Sequence, residues 1–175
     1  KGTGNHSADI MQLGLSEAYG AGRDFADEPI THLFAGPFKR TWQTLLVISL
    51  SAAVAPTAEV HEEIPEIGSD ELFNSWKQKG VKFGGDRSNL RALREDLPES
   101  DFAQAKIDAL NGVGKMFISM LNDGEVGLAV GHSPVIELAC AQLQETPTDF
   151  QLKENEYVVF EEDDDGVITV SQSVQ

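Results

Sequence analysis

The stretch Glu125-Val-Gly-Leu-Ala-Val-Gly-His-Ser-Pro134 constrains the fold more than any other part of this chain. Its apolar run stops at Gly131-His132 and hands over to Ser-Pro and a new amphipathic run. Residues 125–130 therefore read as a buried strand that leads into a helix. Ser133 and Pro134 suit the N-cap and first helical positions of that helix. His132 then stands at the carboxyl end of a strand, beside a helix N-terminus. Open α/β sheets bind ligands at that edge, and helix N-termini favour anions there.

A second segment repeats the pattern. Residues 30–34, Ile-Thr-His-Leu-Phe, read as a short strand, Gly36-Pro37 as a turn, and Phe38 onward as a helix. Trp42, Leu45, Leu46 and Ser49 follow one helical face. Arg40 falls in the first turn, at another strand-to-helix corner. An arginine there offers a phosphate a planar, permanently charged fork beside backbone N–H groups.

The two segments together resemble the histidine phosphatase superfamily, the phosphoglycerate mutase-like proteins. That family's Ser-Pro-x-x-Arg-Ala-x-Gln-Thr motif is matched by Gly36-Pro37-Phe38-Lys39-Arg40-Thr41-Trp42-Gln43-Thr44, and its Gly-His-Ser strand end by Gly131-His132-Ser133. An early Leu-Thr-x-x-Gly-x-x-Gln-Ala helix is matched loosely from Ile10 to Ala18, with Gly22 where the family has another glycine. Ile64-Pro65-Glu66-Ile67 matches a Leu-x-Glu-hydrophobic piece. These matches run in family order from residue 10 to residue 133.

The resemblance implies a three-layer α/β/α sandwich with a mainly parallel sheet and an antiparallel edge, and a site in which Arg40 and His132 clamp phosphate. Glu66 would be the acid, with Glu62 and Glu63 as nearby alternatives. The family's nucleophile is the His of an Arg-His-Gly or Arg-His-Ala motif on a central first strand. The 175 residues contain no Arg-His pair, so the expected nucleophile lies upstream of Lys1, and residues 1–9, including His6, read as the loop after that motif. The implied activity is hydrolysis of a phosphomonoester or phosphohistidine through a phosphohistidine intermediate, not expected from these residues alone. A catalytically dead phosphate-binding or protein-interaction member is the alternative, ahead of a phosphoglycerate mutase. Neither cofactor nor metal is implied, and His6, His32, His61 and His132 show no metal-ligand spacing along the chain.

Elsewhere the chain reads as one α/β domain, residues 1–175. Helices are expected at 12–25, 38–54 and 101–122, a short strand at 58–61, and a hairpin of 156–161 with 167–170 about an Asp-Gly turn. The acidic run Glu162-Asp-Asp-Asp165 lacks the alternating ligand spacing of a calcium loop and reads as a solvated turn. Cys140 reads as a small core residue. Residues 69–98 carry six of the thirteen Lys and Arg residues and three glycines. They read either as a flexible basic overhang that shapes substrate choice or as a solvated helix of mixed charge from Asp86 to Glu95. A net charge of −16 argues against nucleic acid and anionic membranes as partners. A phosphorylated small molecule or phosphohistidine protein is the expected partner, cytoplasm is the default location, and no oligomeric state is expected from the sequence.

Overall fold

The computed structural model describes residues 10–61, 68–147, 150–153 and 156–172. It is a mixed α/β structure with helices, a three-stranded parallel sheet and a two-stranded antiparallel sheet. In chain order the elements are α1 (Gln12–Gly22), a 3-10 turn (Arg23–Phe25), β1 (Ile30–Ala35), α2 (Lys39–Ser51), β2 (Glu59–His61), α3 (Asp70–Gln78) and α4 (Asn89–Asp96). There follow α5 (Glu99–Met120), β3 (Val126–Val130), α6 (Val135–Leu143), β4 (Val158–Glu162) and β5 (Ile168–Gln172). Each expected helix and strand is present within a few residues of its expected ends.

The parallel sheet has the order β2-β1-β3, so β1 is hydrogen-bonded on both edges. Its side chains alternate between two buried clusters. Leu33 and Ala35 join Ala18, Leu45, Ile48 and Leu128, whereas Phe34 joins Leu93, Val113, Leu138 and Ala139. That alternation follows from the two-residue period of a strand. A register shift between Ile30 and His32 returns Ile30 to the Leu33 side. Thr31 fills the irregularity: its hydroxyl accepts from the Val126 N–H at 3.2 Å and donates to the Val126 carbonyl at 3.1 Å.

Two glycines let these layers close. A Cβ on Gly127 would stand 2.6 Å from Cε2 of Phe34, so the ring lies directly over the bare backbone of β3. At Gly22 an added Cβ would meet the Ser51 hydroxyl oxygen at 1.8 Å and the Ile48 carbonyl at 2.5 Å, which marks the close crossing of α1 on α2. Gln43 of α2 also accepts from the Ile10 N–H at 2.7 Å, tying the start of α1 to the same helix.

The antiparallel pairing near the C-terminus is present, but as its own sheet. β4 and β5 pair with each other from Val158↔Gln172 to Glu162↔Ile168, and neither pairs with the parallel sheet. The expected antiparallel edge is thus corrected, among the described residues, to a separate hairpin. Its turn is organised by Asp163, whose Oδ1 accepts from the N–H groups of Asp165 (3.0 Å) and Val167 (2.8 Å). Such an Asx turn occupies the carboxylate locally, as expected for a solvated turn rather than a calcium loop.

Residues 69–98 hold two helices joined by an irregular stretch that carries Gly80, Gly84 and Gly85. They form α3 and α4, capped by the side chains of Ser69 and Ser88, and put Trp76, Val81, Leu90, Ala92 and Leu93 into the core. Arg87 pairs with Asp96 and Glu95, Arg91 with Glu95 at 2.6 Å, and Lys79 with Asp101 at 2.9 Å. The mixed-charge helix is the arrangement observed, at Asn89–Asp96. Cys140 is fully buried, and burial, then the nearby Glu137, push its thiol up to about 12, leaving it inert at neutral pH. No helix among the described residues is long and apolar enough to cross a membrane.

The α1–α2 crossing generates a paired prediction. Gly22→Ala must push against backbone and should destabilise by roughly 1–3 kcal/mol. Gly20→Ala meets open space within the same helix and should be neutral or stabilising by up to about 1 kcal/mol. Urea unfolding of both variants measures the contrast.

Candidate functional site at the carboxyl edge of the sheet

Parallel pairing makes Arg40 and His132 neighbours. Ala35 and Val130, the last residues of β1 and β3, are register partners. The Gly36 N–H extends the ladder by donating to the Val130 carbonyl at 3.0 Å. The chain leaving each strand therefore emerges at the same sheet edge. After β1 the turn is held by Thr41, whose hydroxyl lies 2.7 Å from the Gly36 carbonyl and 2.6 Å from the Phe38 carbonyl. Phe38 is the N-cap residue of α2 and carries no side-chain cap. Phe38 is 2% exposed, and its ring touches both candidate residues. The Arg40 guanidinium sits 4.5 Å from its centroid, and the His132 ring meets it edge-on at 4.6 Å.

Gly68 and residues from the 69–98 segment enclose the same corner. Phe73 of α3 is edge-on to His132 with centroids 6.4 Å apart. A Cβ on Gly68 would lie 3.0 Å from the His132 Cβ. Asn89, first residue of α4, donates to the Ser133 hydroxyl at 3.3 Å. The starts of α2, α3, α4 and α6 thus converge around Phe38 and His132. Sequence reasoning identified Arg40 and His132 through their motifs but missed Phe38, Phe73 and Asn89. These approach only through tertiary packing, which local spacing does not report.

The start of α6 differs from its expected form. The helix begins at Val135 after a cis Ser133–Pro134 bond, so Pro134, not Ser133, holds the N-cap position. The Ser133 hydroxyl is used elsewhere, between Asn89 and Glu137. Glu137 is 1% exposed, and its Oε1 accepts from the Leu152 N–H at 3.3 Å while its Oε2 has no partner. Burial raises its pKa, opposed by the hydrogen bond from Ser133. This buried acid in the turn after the Gly-His-Ser motif is a fourth residue that sequence reading missed.

Electrostatics at the corner favour a neutral imidazole. Burial first, and the Arg40 charge second, bring His132 down to about 4, and its Nε2 is buried without a partner. Burial also lowers the Arg40 pKa, opposed by the charge of Asp70. An arginine in this setting stays charged at neutral pH. The corner therefore combines a partly buried permanent cation with an uncharged ring nitrogen. Glu62, Glu63 and Glu66, the expected acid and its alternatives, lie outside the described residues, as do residues 1–9 with His6. Two cavities, of about 500 and 310 Å3, lie away from the corner, one beside Arg94 and Lys106 and the other beside Leu50 and Val60.

The sheet also gathers residues that are distant in sequence. His32 and His61 show no ligand spacing along the chain, yet pairing of β1 with β2 brings their rings within hydrogen-bond distance. Strand pairing thus supplies a proximity that separation along the chain conceals. No protein-family model, curated protein or solved structure matches the chain.

Both buried titrating groups give the corner a pH signature. The folded pKa of His132 lies below its ordinary 6.5, so its stabilisation is complete above pH 6.5 and lost as pH falls towards 4. The difference amounts to roughly 3 kcal/mol. The stability gap between wild type and His132→Gln should narrow by about that much between pH 7 and pH 4. For Glu137 the sign reverses: its pKa is raised, so stability is present below pH 4.5 and declines as pH rises. Glu137→Gln should match wild type near pH 4 and gain on it as the pH rises above 4.5. Thermal melts across this range test both.

Proposed function

We propose that this chain is the phosphate-binding body of a histidine phosphatase-like protein, arranged as a phosphoglycerate mutase-like three-layer α/β/α sandwich. The observation that carries the reading is the convergence of Arg40 and His132 on the Phe38 ring, at the carboxyl ends of two paired parallel strands. A partly buried guanidinium beside helix N-termini is suited to a phosphoryl dianion. Neutral His132 can supply one ring N–H to a phosphoryl oxygen without repelling the guanidinium.

The sheet supports the same reading. The edge of β3 away from β1 carries no strand among the described residues, and Gly127 and Ala129 of β3 are exposed. The β4–β5 hairpin forms a sheet of its own. A strand bearing Arg-His-Gly would add in parallel along that edge, bringing the nucleophilic histidine to the carboxyl edge near His132. Its neutral imidazole would attack phosphorus, the leaving oxygen taking a proton from Glu66, and water would then discharge the phosphohistidine. Without that strand the 175 residues retain binding groups and no nucleophile. The second reading, a catalytically dead phosphate-binding member, follows if no such strand belongs to the protein. A phosphoglycerate mutase is disfavoured because the sequence of residues 69–98 does not resemble the mutase insertion. The partner is a phosphorylated small molecule or phosphohistidine protein, in the cytoplasm.

Inorganic phosphate titrated into the chain and followed by 31P NMR tests the binding step. Arg40→Ala should weaken binding about 10- to 100-fold, the range for a charge-assisted bond to a charged group, and Arg40→Lys should recover part of it. Unchanged affinity in Arg40→Ala would overturn the site. The 175-residue chain should show no turnover of p-nitrophenyl phosphate, and a fused upstream Arg-His-Gly strand should create it. If His6→Ala abolished a robust activity of the chain itself, His6 would be the nucleophile.

A further inference from the structure

We propose that His32, His61 and Glu59 form a binding site for one zinc-class transition-metal ion between β1 and β2, with Glu125 positioning His32. The site is separate from the Arg40–His132 corner and does not depend on the reading given for it. Parallel register builds it. His32 is the register partner of Glu59, and Phe34 that of His61. Glu59 and His61, two residues apart on one strand, share a face, and His32 lies across from them on the same face. Nδ1 of His32 and Nε2 of His61 are 3.0 Å apart. Oε1 of Glu59 is 3.8 Å from that Nε2, and the three donor atoms lie within 4.8 Å of one another.

These separations suit a metal. With metal–nitrogen bonds of about 2.0–2.1 Å, two nitrogens in a tetrahedral shell stand roughly 3.3 Å apart. The imidazole rings now face nitrogen to nitrogen with centroids 5.3 Å apart. They need to open by about 0.3 Å and turn so that both lone pairs meet at the ion, and the exposed glutamate can swing to close the third position. Two imidazoles and one carboxylate favour zinc, cobalt, nickel or copper over magnesium or calcium, which take oxygen donors.

The tautomer of His32 is also prepared. Its Nε2 lies 2.9 Å from Oε2 of Glu125. That same oxygen accepts from the backbone N–H of Asn122 at 2.7 Å and from its side chain at 3.0 Å. A carboxylate held in this way takes the Nε2–H and leaves the Nδ1 lone pair directed at His61. This is the second-shell arrangement that orients metal-binding histidines. Phe34 stacks on the His61 ring at 4.6 Å and fixes its plane. The side chains of His32, His61 and Glu59 are 7%, 16% and 67% exposed. The nitrogens are thus sheltered while the Glu59 side opens to solvent, leaving a route in for the ion and room for a water as fourth ligand. Bound there, the ion would clip the short edge strand β2 to β1.

Zinc chloride and cobalt chloride titrated into the metal-free 175-residue chain in a non-chelating buffer test the site. One equivalent of cobalt should bind with the strong visible absorption of a four-coordinate ion, zinc should displace it, and either metal should raise Tm. His32→Ala and His61→Ala should each abolish saturable binding, and Glu125→Gln should weaken it about 10- to 100-fold. His6→Ala should leave it intact. If a histidine variant fails to fold, the wild type still decides: cobalt should broaden the backbone amide signals of Leu33 and Val60 at one equivalent. Absence of saturable uptake, binding that survives both histidine variants, or broadening confined to other residues would overturn the proposal.

Discussion

The hydrogen-bonded pairing of β1 with β3 is the constraint on which the rest depends. It puts two strand ends at one edge and so brings together side chains 92 positions apart, Arg40 and His132. The pairing survives because β1 buries side chains on both faces, Leu33 and Ala35 into one cluster and Phe34 into the other. It also requires Gly127, over which the Phe34 ring lies at a distance that excludes any side chain. Widening that contact would disturb the core and both ends of the sheet together. Phe34 is also the ring stacked on His61.

At the carboxyl edge, packing and electrostatics are hard to separate. Phe38 is the surface on which Arg40 and His132 meet, and its burial excludes water from one side of each. Loss of that water keeps the imidazole neutral and lets the guanidinium charge act on it at close range. The buried acid Glu137 lies in the same water-poor surroundings, early in α6, with the Ser133 hydroxyl and the backbone N–H groups of Glu137 and Leu152 to satisfy it. The fold therefore favours the uncharged imidazole at neutral pH and shifts the Glu137 carboxyl towards its uncharged form.

The strands and helices were legible because their signals are local. Apolar runs ending in Gly-His-Ser and Gly-Pro located β3, β1 and the helices after them, and the Asp-Gly turn located the hairpin. Arg40 and His132 were singled out through motif order, and the structure sets both against the Phe38 ring. Three things were not legible. The order β2-β1-β3 is a long-range property, so the approach of His32 to His61 was invisible to spacing along the chain. The hairpin's standing as a separate sheet depends on which edges find partners, which alternation does not encode. The choice between an overhang and a helix at residues 69–98 stayed open because Gly80, Gly84 and Gly85 are conspicuous, and the stretch that holds them is irregular. Trp76, Val81, Leu90 and Leu93 nonetheless bury enough apolar surface to hold two capped helices.

The ion pairs of α3 and α4 have a kinetic consequence. Residues 69–98 hold six basic and five acidic side chains, and Arg87, Arg91 and Lys79 each lie against a carboxylate. This segment beside the Arg40 corner therefore projects almost no positive field beyond its own surface, while the whole chain carries −16. An anionic ligand approaching through water is repelled at long range and attracted only within the last few ångströms. Its encounter rate should rise as added salt shortens the Debye length, opposite to the behaviour of proteins that steer their ligands by charge. Capture is thus left to contact-range chemistry, and the acidic exterior acts as a barrier that the ionic strength of the surroundings sets.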